Sequence, residues 1–195
     1  MTHRPWTADN GDGTYRDPVL NADWSDPDVI RWALKDGRLR LECRPGPEDP
    51  RLRADVLTQR LPAESFTAST TLTLTGGRAG LAVLGDTYAW VGLEHAPGGP
   101  RLVCRADGED LMPPVPVPEA TARLSVVVGP GAVCRFHTDR GEAGAPFQTT
   151  AGPWVGAVLA LFAGGEAGHA EFGGFTVTAM SGDMTQRGRS NDSTL

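Results

Sequence analysis

"FTASTTLTLT", residues 66–75, decides the fold. Phe66, Ala68, Thr70, Leu72 and Leu74 fall at every second position, with Thr67, Ser69, Thr71, Thr73 and Thr75 between them. Side chains alternate across a β-strand, so this spacing predicts a strand with one buried and one wet face. "RLRLEC" (38–43) repeats the pattern, with Leu39, Leu41 and Cys43 set against Arg38, Arg40 and Glu42.

Further strand candidates follow as far as residue 178: "AGLAVLG", "YAWVGLE", "RLVCRA", "ARLSVVVG", "AVCRFHT", "WVGAVLALFA" and "AEFGGFTVT". The stretches "TGGR", "LGDT", "APGGP", "ADGED", "VGPGA", "DRGEAGAP" and "AGGEAG" carry the Gly, Pro and Asp of turns and separate them. Many short strands joined by turns predict an all-β, antiparallel, jelly-roll-like sandwich. No amphipathic helix competes. "PEDPRLRADVLTQRL" (47–61) has room for one helical turn, and Pro47 and Pro50 limit it.

The expected organisation is an irregular arm over 1–31, a sandwich over 32–180 and a frayed tail over 181–195, where apolar periodicity stops. Hydrophobic residues make up 39 % and charged residues 22 %, which suits a packed core and excludes global disorder.

Net charge is −6 and the basic residues are scattered and almost all arginines, which argues against a nucleic-acid partner. No apolar run approaches the roughly 18 residues of a membrane span. "MTHRPWTADNGDG" lacks the apolar core of a signal peptide, so the expected location is cytoplasmic. Cys43, Cys104 and Cys134 lie far apart without CxxC spacing and read as reduced, buried thiols. His3, His95, His137 and His169 show no metal-ligand spacing. "DNGDGT" resembles the start of a calcium loop but lacks its closing Glu, and "GGRAGLAVLG" is no phosphate loop. No motif calls for a cofactor.

One run suits sugar binding. In "TYAWVGLE" the alternation places Tyr88, Trp90, Gly92 and Glu94 on one face, with Thr87, Ala89, Val91 and Leu93 on the other. Aromatic rings stack on the apolar face of a pyranose, and a nearby carboxylate accepts its hydroxyls. The competing reading is that the same rings fill a packed layer, as Tyr and Trp often do. Trp154, opening the most apolar strand, reads as core or an edge plug.

Two resemblances add to this. "DNGDGTYRDPVLNADWSDPDVIR" (9–31) resembles the N-terminal opening of glycoside hydrolase family 43, the β-xylosidases and α-L-arabinofuranosidases, with Asp17 where Asn is usual before Pro18. Five later pieces resemble, in order, the C-terminal concanavalin A-like module of the same enzymes. They are "GRLRLE", "LTQR", "RAGLAVLGDTYAWVGLE", "WVGAVLALFA" and "HAEFGGFTVT", together covering roughly 32–178. The catalytic β-propeller that separates these parts in the family is missing between Arg31 and Trp32. A second register exists, because "DWSDPDVIRWAL" also resembles the start of the sandwich module.

The resemblance implies that Asp26 matches the general base of an inverting hydrolase. Inversion needs a second, protonated carboxyl about 6.5–9.5 Å away, with water between base and sugar. The family's acid and the Asp that tunes it belong to the propeller. Glu64, Glu94, Glu119 and Glu171 are present, but no motif sets one opposite Asp26. Asp26 also reads as a plain Asp-Pro turn residue. The expectation is an accessory module inactive alone, with a xylo- or arabino-oligosaccharide as ligand. The alternatives are an active hydrolase completed by a propeller-bearing partner chain and a free-standing carbohydrate-binding module. Trp24 and Trp32, left without a propeller, would favour self-association.

Overall fold

The structure, a computed structural model, describes residues 2–3, 32–53, 56–61, 63–150 and 157–180. Asp26, Trp24, Trp154 and the 181–195 tail lie outside the described residues, as does all of the arm except residues 2–3.

Among the described residues, fifteen strands account for nearly all regular structure. In chain order they are β1 (Thr2–His3), β2 (Trp32–Lys35), β3 (Arg38–Glu42), β4 (Val56–Arg60) and β5 (Phe66–Leu74). Then come β6 (Arg78–Leu84), β7 (Tyr88–Ala96), β8 (Gly99–Ala106), β9 (Glu109–Asp110) and β10 (Val115–Pro116). The last five are β11 (Thr121–Gly129), β12 (Val133–Thr138), β13 (Gly141–Gln148), β14 (Val158–Gly164) and β15 (His169–Ala179). The one helical turn expected within 47–61 is a 3-10 turn at Pro50–Leu52, with Pro at its start and Asp49 as its cap. The end of that stretch is strand β4.

The strands form two antiparallel sheets. The first runs β13-β12-β11-β5-β15-β3-β2, with β1 paired to β15, and the second runs β10-β8-β7-β6-β14-β4, with β9 paired to β8. The arrangement is an antiparallel β-sandwich, as the alternation predicted.

The opening strand sits mid-sheet, between β11 and β15, with Ala68 opposite both Val126 and Val177. Phe66, Ala68, Leu72 and Leu74 are buried between the sheets with Phe136, Phe172, Leu81, Leu93, Leu124 and Leu161. Thr70 shares that face. Its hydroxyl donates to the Gly173 carbonyl at 3.1 Å, where the β5–β15 register slips, so a polar group inside the core is satisfied.

Tight turns connect the hairpins. Asp36-Gly37 and Asp107-Gly108 all have positive φ, the conformation of type I′ turns that matches strand twist. One turn expectation fails: "DRGEAGAP" lies mostly in strand β13. An edge strand needs partners on one side only, so it tolerates Pro146 and two glycines that would disrupt a central strand.

Candidate functional site

The two sheets differ on their outer faces. The first sheet's outer face carries the β5 hydroxyls, with Ser69 3.0 Å from Thr176 and Thr73 3.2 Å from Thr121. The second sheet's outer face holds a second apolar cluster: Val56, Ala82, Leu84, Tyr88, Trp90, Val103, Val158, Ala160 and Phe162. Two-residue periodicity produces it, because Ala89, Val91 and Leu93 face inward while Tyr88 and Trp90 point outward.

Register sets what each outward residue meets. Trp90 lies opposite Ala82 on β6 and Arg105 on β8, and Gly92 opposite Gly80. The Trp90 ring passes over Gly80, where an added Cβ would sit 2.9 Å from the ring. It meets Phe162 edge-on, with centroids 5.1 Å apart and planes at 89°. Gly80 thus forms the floor that seats the indole, and Gly92 lets the β7 backbone lie close against Gly80.

Arginines cap both rings. Arg105 lies 5.6 Å from the Trp90 centroid and is held by Glu94 at 2.8 Å and Asp110 at 2.7 Å. Arg51 lies 4.7 Å from the Tyr88 centroid, bound through two nitrogens to Asp49, and also donates to the Asp86 carbonyl. The Tyr88 N–H donates to Asp107 at 3.0 Å.

Arg51 belongs to a strap, residues 44–53, that leads from the first sheet toward β4 in the second. Glu48 of the strap bonds Arg78 at one end of β6 at 2.7 Å, while Arg51 reaches the β6–β7 turn at the other end. Six residues of strand, about 20 Å, separate these points. The strap therefore runs along the outer face.

Tyr88, Trp90 and Glu94 share a face, as the alternation predicted. Trp90 is 3 % exposed and Tyr88 5 % exposed, so neither ring presents a free face to a sugar here. Sequence reasoning missed the strap. Its signal was "PGPEDPR", a proline-rich charged run with no periodicity of its own.

The carboxylates are dispersed. Glu94 faces out from the second sheet and Glu171 from the first, near His169 at 3.7 Å, so the sandwich core lies between them. Glu64 and Glu119 are exposed. Hydrogen bonding and charge from Arg78 hold the Glu48 carboxyl below the usual range. Burial pushes Asp49 upward, but the hydrogen bonds from Arg51 win and its carboxyl is also held low. A general acid needs the opposite shift. Among the described residues no group of three or more His, Cys, Asp or Glu is placed to hold a metal. Cys43, Cys104 and Cys134 form no disulfide and are buried, and burial pushes the Cys104 and Cys134 thiols up to about 12. No described helix is long and apolar enough to cross a membrane.

Comparison with known proteins places this geometry. The family described as "Beta xylosidase C-terminal Concanavalin A-like domain" matches residues 15–178. The chain belongs to that family. The match runs unbroken across residues 31 and 32 and takes in 15–31.

Among solved structures, a bifunctional GH43-CE protein of Bacteroides eggerthii is similar at 18 % identity and a TM-score of 0.68, over 80 % of this chain and 24 % of that one. A GH43 protein of Bacillus licheniformis is similar at 17 % identity and 0.64, over 76 % of this chain and 34 % of that one. An alginate lyase of Pseudomonas aeruginosa shares the fold at 12 % identity and 0.52, over 76 % of this chain and 86 % of that one. No curated protein matches in sequence. The chain thus spans about a quarter to a third of the length of these GH43 chains.

Proposed function

We propose that this chain acts as the accessory sandwich module of a family 43-type glycosidase of xylan- or arabinan-type oligosaccharides, and that it does not hydrolyse glycosides alone. The carrying observation is the family match over 15–178, which is continuous across the point where a propeller would interrupt it. That continuity favours the second register of the sequence, in which "DWSDPDVIRWAL" is the module's own start and Asp26 has no general-base role. The carboxylate geometry supports the same reading, since Glu94 is bound to Arg105 and Glu171 lies beyond the core. Three buried thiols that form no disulfide fit a reducing, cytoplasmic setting.

The module's ligand in this reading is a xylo- or arabino-oligosaccharide, engaged through the face that bears Tyr88, Trp90 and Glu94. A propeller-bearing chain is its other partner.

The test is hydrolysis of aryl β-xyloside and aryl α-arabinofuranoside by the purified chain, beside Asp26→Ala. The expected result is no turnover above that control. Turnover abolished by Asp26→Ala would overturn the reading and make Asp26 a working base.

A further inference from the structure

We propose that the 44–53 strap is a displaceable cover, and that the face beneath it, with Trp90, Tyr88 and Phe162 as floor and Glu94 and Asp110 as rim, is a subsite for a neutral pentose oligosaccharide. This rests on the saccharide reading above and adds a gate to it.

The strap's fastenings are uneven. At its base, backbone bonds join Cys43 to Gly168 and Gly165 to Arg44. Beyond the base, the described backbone bonds of the strap are internal, from Leu52 to Asp49 and from Arg53 to Pro50. Pro45, Pro47 and Pro50 have no N–H to offer a sheet. Side chains tie the far end: Glu48 to Arg78, and Arg51 to Asp86 and the Tyr88 ring. The Glu48 side chain is 87 % exposed, and solvent-exposed pairs hold weakly. Leu52 at the crest is 70 % exposed, while Pro50 beside it is buried and adds an apolar contact to these side-chain ties.

What lies beneath suits a sugar better than a protein strap needs. The Trp90 and Phe162 rings meet edge to face with Gly80 beneath the indole and Arg105 of β8 against it, an apolar surface for a pyranose edged by a guanidinium donor. The rim supplies carboxylate acceptors and guanidinium donors within one network, Glu94–Arg105–Asp110. Charge on this face decides the ligand class. Arg51, Arg78 and Arg105 each already hold a carboxylate, and Asp107 adds another. A uronate would meet net negative charge, whereas a neutral sugar offers hydroxyls to both halves of each pair.

A covered site has an apparent affinity reduced by the fraction of time it is open. The experiment is titration of the full chain with xylohexaose, by calorimetry and by NMR of the tryptophan indole N–H signals. The Trp90 signal is assigned as the one lost in Trp90→Phe, a conservative change that keeps an aromatic in the core. Wild type is compared with Glu48→Ala/Arg51→Ala, which cuts both far fastenings at surface positions. The expected result is saturable binding, about three- to tenfold tighter in the double variant, with the Trp90 signal shifted. Equal affinity in both proteins, with Trp90 shifted, would overturn the gate and leave the saccharide reading standing. Binding without a Trp90 shift would overturn this subsite. No binding to either protein would overturn both.

Discussion

At Gly92 the backbone of one strand leans so closely on the next that a Cβ would lie 2.0 Å from the Ala79 carbonyl oxygen and 2.7 Å from the Gly80 Cα. Both obstacles are backbone, so a side chain can be admitted only by prising β6 from β7. Gly92→Ala is expected to cost about 3 kcal/mol and lower Tm by about 6–12 °C. Gly98→Ala serves as the comparison. Its φ is +101° but no atom lies within 4 Å of the added Cβ, so it carries strain without a clash and costs about 1 kcal/mol. Thermal unfolding of the two variants checks this, and equal losses would show that the floor under Trp90 can yield. Alternation alone could place Gly92 beside Trp90, because it depends on one strand. That Gly92 faces Gly80, and that the indole lies over Gly80, depends on the register between strands, which no single strand encodes.

The strap is the element whose role was least legible. Its prolines and alternating charges forbid both periodicities by which elements are recognised, so it read only as a limit on helix. Its chemistry nonetheless predicts a pH response. Glu48 and Asp49 are held below their ordinary values of 4.5 and 3.8. A carboxylate depressed in the folded state adds stability that is present above its unfolded pKa and lost as pH falls through the folded one. The strap is therefore expected to stay fastened at neutral pH and to loosen below about pH 4. Hydrogen exchange between pH 6 and pH 3 reads this directly, after correction for the intrinsic rate. Protection over 44–53 should fall before that of β6 and β7, and simultaneous loss would show that the strap is not held by these pairs. Strand β13 was misread for the converse reason. Its Gly and Pro content is turn-like, and only its position at a sheet edge makes that composition compatible with pairing.

At the scale of the molecule, the central pairing is far from local. Ser69 of β5 bonds Thr176 of β15 across 107 residues of sequence. Such a chain must close long loops before its core can form, and sandwiches of this kind refold in roughly milliseconds to seconds. Stopped-flow tryptophan fluorescence after dilution from urea is expected to show that range. Microsecond refolding would mean that the local hairpins, not β5 with its distant partners, form the nucleus. The same topology limits the chemistry. Carboxylates are distributed over two faces separated by a core, so the sandwich builds one covered aromatic face and no opposed acid and base among the described residues.

The sequence by itself determined the strands that carry a clear alternation, such as β3, β5 and β7, and which way their side chains point, because a period of two is written locally and burial follows from it. It also carried the family resemblance, piece by piece and in order. Tertiary structure alone decided which strands pair and in what register, and which outer face is apolar. It alone decided that the strap is fastened to both ends of β6 and sets Arg51 over the Tyr88 ring. These are contacts between residues distant in the chain, and their energies depend on a partner's position, which composition and spacing do not contain.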